Sequence, residues 1–203
     1  REIADVECVP IDRRSRRLTA LLRLGFGECA TLAYFRSSEL ASRVATRLAR
    51  GYDLVYVYSS SMAQYVPSEG PPMIMDFVDV DSDKWRQFAG QWSPPLSWVY
   101  RLVGLRLRRF EAKTAARATH SLVVTRDEAA LLRALAPTAR IVVSPNGVDL
   151  DYFQPAHHPG SGAPTLVFTG VMDYLPNVDA VTWFAEVILP VVRQAVPEVR
   201  FIV

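Results

Sequence analysis

Hydrophobic positions in this chain fall into short continuous runs, separated by longer stretches in which apolar and charged residues recur at helical spacing. Residues 53–59 (DLVYVYS) and 119–125 (THSLVVT), rich in β-branched and aromatic side chains, are expected as buried strands. Residues 73–78 (MIMDFV), 141–144 (IVVS), 165–169 (TLVFT) and 199–203 (VRFIV) read as further strands, and residues 7–11 (ECVPI) as a short one. Between them the period changes. Residues 18–24 form a helix, and residues 40–50 form another, with Leu40, Ala41, Val44, Ala45 and Leu48 on one side and Gly51 closing it. Residues 96–117 give a long helix with its apolar positions at Trp98, Leu102, Leu105 and Phe110. Thr125 and Glu128 have capping-box spacing for a helix over 127–135. Asn177 is placed to cap the last helical pattern, in which Pro190 predicts a kink or a restart.

Strand-then-helix alternation implies parallel α/β units. The serines Ser59, Ser60 and Ser61, directly after a strand, either cap a helix or face a ligand at the carboxyl end of the sheet. A tight turn is expected at Pro145-Asn146-Gly147. Residues 155–164 hold three prolines, two glycines and the adjacent His157 and His158, a composition unsuited to a core. The chain is therefore divided into a first unit over 1–154, a linker over 155–164 and a second unit over 165–203. It begins without a methionine and ends in a strand-like run, so it is expected to be a fragment of a longer protein, with both units incomplete.

Composition narrows the function only a little. The chain has 203 residues, 50% of them hydrophobic, and a net charge of +2, which argues against a general nucleic-acid binder. Lys84 and Lys113 are the only lysines, and every other basic residue is arginine. Cys8 and Cys29 offer neither a disulfide framework nor ligand spacing, which fits a cytoplasmic location, and no metal site is expected. No uninterrupted apolar run reaches the roughly 18–20 residues that span a bilayer. The helix over 96–117 carries Arg101, Arg106, Arg108, Arg109, Lys113 and Arg117. Its two readings are a solvated face or a peripheral contact with an anionic membrane. Glu111, its lone acid, is expected to pair with a neighbouring arginine.

The acidic cluster Asp76, Asp79, Asp81 and Asp83 is the densest local chemistry. Lys84 stands where a calcium loop needs glycine, and Gly90 where it needs glutamate, so an EF-hand is excluded. The carboxylates either clamp sugar hydroxyls or act as a base, or else Asp81 or Ser82 caps the following helix. Gly170, after the strand at 165–169, opens onto a helix whose N-terminus is a natural diphosphate site. No dinucleotide fingerprint, P-loop or nucleophile elbow occurs.

The stretches VVSPNGVDLDYFQP and LVFTGVMDYLPNVDAVTWFAEVILP resemble the interdomain junction of family 4 GT-B glycosyltransferases. YSSSMAQYV, MDFVDVDSDKWRQFA and FEAKTAARATHSLVVTRDEAALL are similar to the sugar transferases of PEP-CTERM/exosortase exopolysaccharide loci. The resemblance implies two facing Rossmann-like domains, and metal-independent, retaining transfer from a nucleotide-sugar donor to a glycan or lipid-linked acceptor. The donor is the substrate, so no cofactor is implied. The enzyme would be cytoplasmic, peripheral on the inner membrane face. By position, Gly170, Asp173, Asn177 and Asn146 would lie on the donor side. Ser60, Ser82 and Lys84 would border the acceptor, with Asp79 and Asp81 at the reacting sugar. Pro176 and Asn177 stand where many members have Lys-Gly. The family's Glu-x7-Glu motif and glycine-rich acceptor loop would lie beyond Val203 and before Arg1, so catalysis is expected of the parent rather than of this piece. An epimerase of the same fold and a non-catalytic nucleotide-sugar-binding module are the alternatives.

Overall fold

The computed structural model of the chain describes residues 6–154 and 162–203. Two compact units, Arg1–Gly147 and Val148–Val203, make up the chain. Most of the linker at 155–164, including His157 and His158, lies outside the described residues.

The first unit opens with three helices, α1 (Arg13–Gly25), α2 (Ala30–Tyr34) and α3 (Ser38–Leu48). Then follow β1 (Val55–Tyr58), a 3-10 segment (Ser60–Tyr65), β2 (Met73–Val78), α4 (Asp81–Gln91), α5 (Leu96–Arg117), β3 (His120–Val123), α6 (Arg126–Leu135) and β4 (Ile141–Val143). The four strands are parallel and pair in chain order, β1-β2-β3-β4. Local chemistry sets several boundaries. The Ser37 hydroxyl accepts from the Leu40 amide at the start of α3, and Gly51 takes φ +83 beyond its end. Thr125 accepts from the Glu128 amide at 3.1 Å and starts α6.

Residues 7–11 form no strand. This segment lies outside the sheet, and Glu7 is tied by ion pairs to Arg43 and Arg47 of α3.

The core lies on one face of the sheet. Met73, Met75 and Phe77 alternate inward from β2 and meet Ala115 and Ala118 at the end of α5 and Ala129, Leu132 and Ala136 of α6. Small residues on both helices let them approach the strands closely. The residues at 53–59 are thus not buried throughout: Val57 joins the core, whereas Tyr56 and Tyr58 point to the other face and are exposed. One-sided burial is unusual for a parallel sheet.

The core-facing stripe of α5 also differs from the sequence reading. Val103, Gly104, Leu107, Glu111, Thr114 and Ala115 face inward, while Trp98 is 64% exposed and Leu105 55%. Gly104 explains the rotation. A β-carbon there would lie 3.2 Å from Trp85 Cβ and 3.3 Å from the Ser82 carbonyl, so α4 packs on the smallest residues rather than the largest.

No tight turn forms at Pro145-Asn146-Gly147. Residues 144–149 are irregular, and the turn falls at 150–152, where Asp149 Oδ1 accepts from the Asp151 amide at 2.9 Å and the Tyr152 amide at 3.1 Å.

The second unit contains β5 (Thr165–Val167), α7 (Leu175–Trp183), a π-helical stretch (Phe184–Ile188), α8 (Leu189–Ala195) and β6 (Arg200–Ile202). β5 and β6 are parallel, and the Phe184 and Phe201 rings pack 4.8 Å apart. The restart at Pro190 is present: proline lacks the N–H that would continue the ladder, and the preceding turn widens into π geometry. Although no uninterrupted apolar run was expected to span a bilayer, the helical run Leu175–Ala195 is long and apolar enough to cross one. Here it connects two parallel strands of one sheet, as a βαβ crossover does.

Candidate functional site

All four strands of the first unit end at one edge, where parallel sheets bind ligands. At that edge β2 leaves the sheet through an unusual turn. Val78 has φ +62, a left-handed conformation that a β-branched residue adopts at a cost of roughly 1–3 kcal/mol. The Asp79 amide donates back to the Phe77 carbonyl at 2.7 Å, closing a three-residue turn around Val78. Asp76 fixes the approach: its Oδ1 accepts from the Val78 amide at 3.0 Å and its Oδ2 from the Tyr56 hydroxyl. That bond holds the Tyr56 proton, raising its pKa. Just past the end of β1, Ser59 also has positive φ, at +69.

The turn brings three of the sequence-predicted site residues together. Lys84 Nζ lies 2.7 Å from Asp79 Oδ2 and 3.2 Å from Asp81 Oδ1. Burial disfavours the Lys84 charge, but the two carboxylates outweigh it and raise its pKa. The group is half-exposed and keeps free acceptor positions on both carboxylates. Asp83 turns away to Arg86 at 2.7 Å and Gln87 at 2.8 Å, and the Arg86 hydrogen bond lowers its pKa.

Neither Asp81 nor Ser82 caps α4. The helix has no side-chain cap of its own at Val80, and its first amides are met from other elements. Glu128 of α6 accepts from the Val80 amide at 2.6 Å, and Glu111 of α5 accepts from the Ser82 amide at 3.2 Å. Glu111 thus forms no arginine pair. It is 0% exposed, and burial pushes its carboxyl up to about 7, with Asp81 adding to the rise and the Ser82 amide and hydroxyl opposing it. Its Oε2 has no partner among the described residues. Burial also raises Glu128, with Asp79 and Asp83 acting in the same direction. A buried carboxyl with a raised pKa therefore meets the start of α4, whose Asp81 belongs to the half-exposed Asp79–Lys84–Asp81 group. The sequence signal for Glu111 was its place on the stripe of small residues rather than its lone charge.

The remaining predicted residues lie elsewhere. Ser60 is wholly buried, with its hydroxyl unpartnered among the described residues, and Ser59 makes no capping bond to the 3-10 segment. Arg117 holds that segment in place by donating to the carbonyls of Ala63, Val66 and Pro67. Arg106 likewise donates to the carbonyls of Leu24 and Glu28, so both arginines are engaged with backbone carbonyls of other segments. Asn146 is exposed. Cys8 and Cys29 are free thiols. Among the described residues no group of three or more His, Cys, Asp or Glu is arranged to hold a metal ion.

In the second unit, Gly170 follows β5 and packs under the start of α7. A β-carbon there would lie 2.8 Å from Asn177 Nδ2 and 2.9 Å from Phe168 Cε1. Asn177 does not cap α7, whose N-cap is Tyr174. Its side chain donates to the Val171 carbonyl at 3.0 Å, bracing the glycine turn. Asp173 is exposed on that turn.

The class defined by these features is an α/β protein with a four-stranded parallel sheet and a separate parallel strand pair. No family model, curated protein or solved structure matches the chain.

Proposed function

We propose that the chain is part of a GT-B glycosyltransferase that moves a sugar from a nucleotide-sugar donor to a glycan or lipid-linked acceptor, with retention, in exopolysaccharide synthesis. The reading is supported by the resemblance of its junction and acceptor-side segments to that family. The observation that carries it is the Asp79–Lys84–Asp81 group, half-exposed at the carboxyl edge of the sheet on a strained turn. Two carboxylates that share one ammonium are only partly neutralised and remain good acceptors for sugar hydroxyls. On the donor side, the glycine turn at Gly170 would admit a diphosphate near the α7 amides, with Asp173 and Asn177 beside it and Asn146 at the junction. Lys84 is committed to two carboxylates, so leaving-group charge would be met mainly by backbone N–H groups.

The test is release of UDP or GDP from a panel of nucleotide sugars by the full-length protein, followed chromatographically. We expect release, reduced roughly ten- to a hundred-fold in Asp79→Ala and Asp81→Ala variants that keep the parent melting curve. No binding of UDP or GDP by any method would overturn the reading. One observation favours a binding module without turnover: no lysine or arginine stands between Phe168 and Asn177. Tight nucleotide-sugar binding with no product would select it.

A further inference from the structure

We infer that a groove between α4, α5 and α6 binds a single-chain amphiphile with an anionic head, the tail lying in the groove and the head on Arg101 and Arg108. The groove encloses about 440 Å³, within the size range of small-molecule sites. Its walls are mainly apolar: Val80, Gly104, Leu105, Leu131, Ala134 and Leu135 line it. Leu105 and Leu131 are exposed there, so apolar surface lies open to water with no described element covering it.

The charged lining is one-sided. Arg86, Arg101 and Arg108 face the groove with Asp83 as the acid among its lining residues. Asp83 is satisfied by Arg86 at 2.7 Å and Gln87 at 2.8 Å. Arg108 acts on Asp83 only through space, and neither it nor Arg101 makes a hydrogen bond or ion pair among the described residues. The two stand seven positions apart, on one face of α5 and about 10 Å apart along its axis. A guanidinium fork suits a phosphate or carboxylate head. Trp98, three residues before Arg101 on α5, is 64% exposed. An apolar floor beside two uncommitted cations matches a tail and an anion in one molecule, and neither half by itself. The groove shares Val80, Ser82 and Asp83 with the segment that carries Asp79 and Lys84, but neither Asp79, Asp81 nor Lys84 lines it, and the inference stands whether or not the transferase reading does.

Calorimetric titration of the chain, below each detergent's micelle concentration, tests this with four probes: dodecyl phosphate, dodecanoate, dodecyl maltoside and inorganic phosphate. Both anionic amphiphiles should bind one to one, with the maltoside and inorganic phosphate at least tenfold weaker. The double variant R101E/R108E should lose at least tenfold in affinity, and Ala134→Trp, which fills the groove, should abolish binding. R109E/K113E, a reversal of equal charge on α5 outside the groove lining, should leave binding unchanged. All of these positions are exposed, and melting curves verify folding. Equal binding of the maltoside, insensitivity to R101E/R108E or Ala134→Trp, an equal loss in R109E/K113E, or no binding at all would each overturn the inference.

Discussion

Glu111 Oε1 accepts a hydrogen bond from the Ser82 amide at 3.2 Å, so a carboxyl buried in α5 terminates α4 in place of a local cap. Its pKa, raised from 4.5 to about 7, means that the folded chain holds this proton more tightly than the unfolded chain does. The stability conferred is complete below about pH 4.5 and is lost as pH rises through about 7. Glu111→Gln keeps an acceptor for Ser82 but cannot ionise. It should match the parent near pH 4.5 and exceed it at pH 8 by up to roughly 3 kcal/mol. Urea melts across that window would check this, and parallel pH profiles for the two proteins would refute it.

Arg117 bridges three carbonyls of the segment between β1 and β2. Replacement by lysine preserves charge but not the fork, and should cost about 1–3 kcal/mol. Chemical denaturation measures the loss, and a lysine variant as stable as the parent would show the bridge to be incidental.

Gly170 and Asn177 compete for one space, since an added β-carbon would stand 2.8 Å from Asn177 Nδ2. Gly170→Ala should destabilise by about 1–3 kcal/mol, and the part due to Asn177 should return when Asn177→Ala is added, while the contact with Phe168 Cε1 at 2.9 Å remains. Additive single and double effects would count against the contact.

Val78 inverts an ordinary preference. In an extended strand alanine is better than glycine, but at φ +62 the left-handed penalty falls on any β-carbon. Val78→Gly should therefore be more stable than Val78→Ala by about 1 kcal/mol. A comparison of their denaturation midpoints decides it, the opposite order refuting the strained turn.

Helix and strand positions were largely legible in the chain, because they rest on local pattern. The helix Leu96–Arg117 has the bounds its periodicity predicts, between a Pro-Pro break and the strand at His120. Its orientation was not legible. Large apolar side chains marked Trp98 and Leu102 as the inward face, yet close packing against Trp85 favours Gly104 and its small neighbours. The same limit applies to the site. Asp79, Asp81 and Lys84 are near in sequence and meet in space, whereas Glu111 and Glu128 reach α4 from 29 and 48 residues away. The Val78 turn left no trace in composition, since valine is a poor choice for that backbone.

A sheet that pairs in the order of the chain has a consequence for how it is made. Among the described strands of the first unit, each docks beside the one synthesised just before it, and none wedges between two earlier ones. The longest loop to close is the α4–α5 crossover between β2 and β3, and every other pairing is more local. From β1 to β4 the sheet can therefore grow strand by strand as the polypeptide leaves the ribosome, each finished edge serving as the template for the next.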